Sequence, residues 1–311
     1  MDGRVCNFMQ LASVRRYEMT EGKERGLRVI DCENGKLRFL LNESKALDVM
    51  QMYHCGQNVS FVSKNGFTLR EIPFANRFEG GMLYTCGLDS IGARQNYELH
   101  GTLHNTPARV TRAECGEEGI IIEAEIADTL LFGKNLVFKR RIFSAIGSET
   151  LEISDTLENR GFRDEEYCLL YHVNVGYPML DDGTKVEGAV CQVTPRTEWA
   201  AKYLSEREKI SVPIANQEEM CYFLQFEQPK VSLVNKKIGK KFTLEWSQDT
   251  LPHFVEWKSM TSGDYALGLE PCTSCLDQKF HYSVLQQGEC VEMRLLIFVE
   301  TYRLNSNTVG A

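Results

Sequence analysis

Gly119-Ile120-Ile121-Ile122-Glu123-Ala124-Glu125-Ile126, Leu136-Val137-Phe138-Lys139-Arg140-Arg141-Ile142-Phe143 and Glu149-Thr150-Leu151-Glu152-Ile153-Ser154-Asp155 follow one another with Gly or Asn between them. The runs are rich in β-branched residues and alternate apolar with polar side chains, the period of a strand with one face on a core. Their return roughly every dozen residues is the rhythm of an antiparallel sandwich. Ala108-Arg109-Val110 extends the series upstream. Farther back, Leu27-Arg28-Val29-Ile30, Lys36 to Leu41 and Asn58 to Val62 are shorter strands, with Glu33-Asn34-Gly35 and Cys55-Gly56 as hairpin turns. Downstream, Glu166 to Val175 is apolar on both faces, as a covered central strand must be. Strands resume at Met220 and continue to Glu300. The fold expected is all-β, a large antiparallel β-sandwich, and without a linker or internal repeat residues 1–311 read as one domain. Two stretches break the rhythm. Leu130-Leu131-Phe132-Gly133 reads as a loop packing into the core, and residues 196–220, rich in Arg, Lys and Glu, as a surface excursion with one short helix.

The 311 residues are 43% hydrophobic and 25% charged, enough for a large core, and carry a formal net charge of −8. That balance argues against nucleic acid, which asks for a surplus of Lys and Arg on one face. The basic runs Lys139-Arg140-Arg141, Lys236-Lys237 and Lys240-Lys241 read as solvated strand ends. No apolar stretch is long enough to cross a bilayer, and the first twenty-six residues lack the apolar run of a secretory signal. Eleven unpatterned cysteines fit a reducing, cytoplasmic setting with free thiols. Cys272 and Cys275 form a lone C-x-x-C that reads as ordinary buried cysteines, with a thiol near the site left open.

Three stretches carry titratable groups beside Gly or Pro: Tyr97-Glu98-Leu99-His100-Gly101, Leu170-Tyr171-His172-Val173-Asn174-Val175-Gly176 and Leu267-Gly268-Leu269-Glu270-Pro271. Two imidazoles and one carboxylate are a minimum kit for bifunctional acid–base chemistry. Alternation puts Leu170, His172 and Asn174 on one strand face, where Asn174 is able to orient a hydroxyl beside the imidazole. Trp257 reads equally as a stacking wall for a pyranose or as core, and Lys258 as a contact to hydroxyl or acid groups.

The order L-H-G, Y-H-x-N-x-G-x-P and G-L-E-P resembles the aldose 1-epimerase (galactose mutarotase-like) superfamily, and within it a bacterial branch of unknown function named "aldose 1-epimerase family protein". The likeness runs from Gln10-Leu11-Ala12 through Leu131-Phe132-Gly133 to Pro271. It implies anomer interconversion of an aldose or sugar acid: Glu270 as base on the anomeric hydroxyl, His172 as acid on the ring oxygen, and His100 positioning that oxygen. No metal or organic cofactor is needed. It also matches Lys45 and Asp48 to a basic–acidic pair contacting the sugar, and Arg77 to a sugar-binding arginine, with a plain surface arginine as the alternative. His104 reads as an exposed loop residue, and Thr102 stands where relatives often carry arginine. The partner expected is a small-molecule carbohydrate, with no nucleic acid and no membrane, and a homodimer is the assembly to test. Another sugar isomerase or lyase on this scaffold, or a carbohydrate-binding protein without catalysis, are the alternatives.

Overall fold

The computed structural model describes residues 3–277 and 279–302. A five-stranded sheet holds, in spatial order, β1 (Ser13–Glu18), β2 (Arg28–Glu33), β3 (Leu37–Asn42), β4 (Asp48–His54) and β5 (Gln57–Asn58). The remaining strands are β6 (Leu83–Leu88), β7 (Arg109–Gly116), β8 (Gly119–Thr129), β9 (Asn135–Ser144), β10 (Thr150–Asn159), β11 (Glu165–Val175), β12 (Lys185–Pro195), β13 (Met220–Asn235), β14 (Lys240–Trp246), β15 (His253–Thr261), β16 (Asp264–Cys272), β17 (Ser283–Leu285) and β18 (Cys290–Thr301). They form one sheet in the order β17-β11-β16-β15-β13-β14-β18-β10-β9-β8-β7, with β12 added to β13 and β6 to β11. The pairings are antiparallel, so the expected all-β antiparallel sandwich is the fold observed.

Alternation builds the core. Leu37, Phe39 and Leu41 on β3 face Ile120, Ile122 and Ile126 on β8, Phe138 and Ile142 on β9, and Leu151, Ile153 and Leu157 on β10, all within one apolar cluster. Each such side chain contributes about 1.5–3 kcal/mol by leaving water.

A charged network lies inside this cluster, and it corrects the reading of Lys139-Arg140-Arg141 as a solvated end. Arg140 is in phase with Phe138 and Ile142 and is fully buried. Register sets it against Asp155, which its Nη2 meets at 2.7 Å while also donating to Thr85 Oγ1 at 2.9 Å, and its Nη1 reaches Asp48 at 2.5 Å. Tyr171 donates to Asp155 at 2.7 Å. Lys240 likewise is buried, with its ammonium on His54 Nδ1 at 2.6 Å, so this strand end is not solvated either.

Leu130-Leu131-Phe132-Gly133 does not enter the core. Leu130 and Gly133 close a tight turn on themselves, and Leu131 and Phe132 are 82% and 96% exposed. A turn bonded within itself at the end of a long hairpin has no reach back to the sheet. Residues 196–220 do contain the expected short helix, α1 (Glu198–Lys202), capped by the Thr197 hydroxyl.

Candidate active site

The site lies on the face of the large sheet built by β6, β11, β16, β15 and β13. The register that sets Leu170 against Cys272 and Val173 against Leu269 brings His172 of β11 and Glu270 of β16 opposite one another, with Nε2 and Oε1 3.2 Å apart. Gly268 makes room for them. A Cβ there would stand 2.5 Å from Glu270 Oε1 and 2.9 Å from His172 Cε1, so the glycine of G-L-E-P is required by space.

The third group arrives from a loop. His100 holds a left-handed backbone (φ 66°), and Gly101 beside it (φ 75°) admits no side chain, since a Cβ would lie 2.6 Å from the Ser90 carbonyl oxygen. The Gly92 N–H donates to His100 Nδ1 at 3.3 Å. Burial, with Arg196 second, pushes the His100 pKa down to about 4, so its ring is neutral. With Nδ1 accepting, the ring proton resides on Nε2, which makes His100 a hydrogen-bond donor. The His100 and His172 ring centroids are 5.7 Å apart.

Around these groups is a cleft of about 300 Å³. Phe78 and Trp257 stand edge to face at 6.3 Å and both flank His172, at 5.7 and 5.4 Å. Phe74 packs on His100 at 5.2 Å. Burial raises the Glu270 pKa well above the ordinary carboxyl value, Glu219 adds to the rise, and Arg196 opposes it. Burial also holds His172 well below the ordinary imidazole value, helped by His100. Both directions favour neutral groups, so at rest Glu270 is a protonated carboxyl beside an uncharged His172. His172 Nδ1, Glu270 Oε1 and the Asn174 side-chain oxygen are buried without a hydrogen-bond partner. Such groups cost stability unless something satisfies them.

His100, His172, Glu270 and Trp257 therefore come together, whereas Asn174 is fully buried and does not line the cleft, its amide donating to the His172 carbonyl at 3.0 Å. The other four residues matched to sugar contacts do not line the cleft. Lys45 is buried against Glu79 at 2.6 Å, and Asp48 is shared between Arg140, Thr85 and His104. Arg77 turns to Glu98 at 2.6 Å. Lys258 follows Trp257 on the strand, so it faces the opposite side, where its ammonium is held by the Glu206, Arg207 and Lys209 carbonyls and burial lowers its pKa to about 8. His104 is not an exposed loop residue. It is 1% exposed, 2.6 Å from Asp48 and 3.3 Å from Glu79, and stacked on Tyr84 at 3.7 Å.

Arg196 and Glu219, from the segment read as a surface excursion, line the mouth of the cleft, as do Phe74 and Phe78. Trp257 donates to Glu219 at 2.7 Å. Of the thiols, Cys221 lines the cleft and Cys272 is buried beside it, whereas Cys275 lies off to the side on His253 at 3.3 Å. All eleven cysteines are free. Among the described residues no group of three or more His, Cys, Asp or Glu is placed to hold a metal ion, and no helix is long and apolar enough to cross a membrane. A larger hollow of about 610 Å³ lies by β1 to β4, but its Arg38 and Asp31 are already paired at 2.7 Å, which makes it the weaker candidate.

The sandwich has the fold of solved structures described as galactose mutarotase-like. A structure from Klebsiella pneumoniae subsp. pneumoniae MGH 78578, designated a "putative aldose 1-epimerase", is similar with a TM-score of 0.82 at 20% identity, over 93% of this chain and 83% of that one. A galactose mutarotase-like protein from Clostridium acetobutylicum gives 0.70 at 14% identity, over 94% and 99%. One from Lactobacillus casei ATCC 334 gives 0.62 at 13%, over 88% and 100%. Residues 24–294 match the model of the family described as Domain of unknown function (DUF4432), and the chain belongs to that family. None of the curated proteins compared with the chain matches it.

Proposed function

We propose that the protein interconverts the anomers of a monosaccharide, an aldose or a sugar acid, at the cleft floored by His172 and Glu270. The observation that carries this reading is the buried 3.2 Å His172–Glu270 pair at the base of a cleft near the lower end of the size range for small-molecule sites. Ring opening needs a proton taken from the anomeric hydroxyl and another given to the ring oxygen. Doing both together avoids a free alkoxide and a free oxonium, and each positioned group contributes roughly 10²–10⁴ in rate. The Glu270 carboxyl proton first passes to His172 across the 3.2 Å contact. Glu270, now a carboxylate, takes the anomeric proton, and His172, now an imidazolium, gives its own to the ring oxygen, which restores the starting pair. The neutral His100, donating from Nε2, holds the ring oxygen. The open-chain aldehyde turns about its C1–C2 bond and closes with the roles reversed. A pair that begins and ends in the same protonation state is suited to a reaction that returns every proton it moves.

The sugar also supplies a missing partner of the floor, because a hydroxyl donates to Glu270 Oε1. Exchange NMR over a library of hexoses and hexuronates tests the reading. Faster exchange between anomer signals is expected with the wild type and its loss with Glu270→Gln. Deuterium entering a carbon position would replace the proposal with a sugar isomerase that removes a carbon-bound proton.

A further inference from the structure

We infer that Arg196 makes the cleft a receptor for a monosaccharide bearing one carboxylate, so that a sugar acid is preferred to a neutral aldose or a sugar phosphate. The inference rests on the anomer chemistry proposed for this same cleft and adds which class of sugar that chemistry meets.

Arg196 is the one Arg or Lys among the residues lining the cleft. It follows Pro195 at the end of β12, and its backbone N–H, donating to the Cys221 carbonyl at 2.9 Å, anchors it at the mouth. The side chain is exposed, and no described carboxylate lies within 4.0 Å of it to form an ion pair. Glu219, also at the mouth, accepts from the Trp257 indole at 2.7 Å and forms no ion pair with Arg196. Below, burial keeps the floor pair neutral. The cleft thus presents one guanidinium with no carboxylate in direct contact to whatever enters.

A guanidinium matches a carboxylate through two parallel N–H···O bonds, and the charges cancel one for one. A phosphate monoester carries about −1.5 to −2 charge at neutral pH and would leave most of a charge unmatched in a cleft with a single cation. A neutral aldose would leave the guanidinium without a charged partner. Glu219 complements the arrangement, since a carboxylate accepts from hydroxyls. Such a ligand is oriented with its acid toward Arg196, its hydroxyls toward Glu219, and its ring over His172 and Glu270.

The test is ligand-observed NMR on the full chain with glucuronate and galacturonate, the matching hexoses and the hexose 6-phosphates, measuring Kd and anomer exchange in the same tubes. The preferred hexuronate is expected to bind at least about tenfold tighter than its hexose, with an affinity that weakens as salt is added. Arg196→Gln should bring that ratio close to one, and Arg196→Lys, which keeps the charge and loses the fork, should fall between. Equal affinity for hexuronate and hexose, a preference that survives in Arg196→Gln, or tighter binding of the 6-phosphate would each overturn the inference. Preferred hexuronate binding without anomer exchange supports the carboxylate site and removes the mutarotation reading. Exchange of hexoses with no preference for the acid does the reverse, and binding of no sugar removes both.

Discussion

Two clusters built from the same kinds of side chain lie on either side of β6 and β11, and they are finished to different degrees. In the inner one, Asp48 and Asp155 spread their oxygens over Arg140, Thr85, His104 and Tyr171, and Lys45 closes on Glu79. In the outer one, His172 and Glu270 have a single contact with each other and leave buried atoms unserved. Burial alone therefore does not mark a working site. The inner network leaves one buried atom, His104 Nε2, without a hydrogen bond and holds the fold, whereas the pair at the base of the cleft leaves one on each member and has capacity for a ligand.

The contrast can be broken most forcefully from the inside. Arg140→Met removes the cation shared by two buried aspartates and is expected to cost about 3–5 kcal/mol, read as a fall in the denaturant midpoint. Glu270→Gln should do the opposite, with turnover down roughly 10²–10⁴-fold and unfolding free energy within about 1 kcal/mol of the wild type. A stability loss as large as that of Arg140→Met would mean that both clusters are structural.

Gly268→Ala sharpens the point by pushing a methyl between the pair. A cost of about 1–3 kcal/mol from overpacking is expected, together with loss of anomer exchange. Unchanged exchange would show that the observed juxtaposition is not the one used.

A smaller, pH-dependent effect separates the two members. The Glu270 pKa is raised on folding, so the folded state binds more protons and this group's contribution falls as pH climbs from its ordinary value of 4.5 toward its folded one. The His172 pKa is lowered, so its contribution falls as pH drops below 6.5 toward its folded value. Relative to the wild type, Glu270→Gln should gain stability as pH rises above 4.5, and His172→Asn as pH falls below 6.5. Parallel pH–stability curves for the three proteins would contradict both directions. Smallest of all, Phe132→Ser at the exposed hairpin tip should change stability by no more than about 0.5 kcal/mol.

Much of this was legible in the chain. The alternation from Gly119 to Asp155 gives the sandwich, and the two His-bearing and Glu-bearing motifs give the three groups that meet. The buried network was legible too, and the reading of Arg140 as solvated overlooked that it shares a phase with Phe138 and Ile142, as Asp155 does with Ile153 and Leu157. His104 differs, since a one-turn 3₁₀ helix from Leu103 to Asn105 directs it inward and no periodicity reveals that. Arg196 and Glu219 were hidden for another reason. They stand at the two ends of the long connection between β12 and β13, next to the Pro195–Tyr222 pairing, so their convergence depends on a register that the local sequence does not announce.

The pairing of β11 with β16 has a kinetic consequence. His172 and Glu270 belong to strands separated by four others in sequence, and they become neighbours only when that long loop has closed. Local hairpins such as β8–β9 are able to form well before it, because contacts distant in sequence are slow to make. During refolding, strand content measured by circular dichroism should recover ahead of the candidate site, and the return of anomer exchange would time the last long-range closure of the sheet.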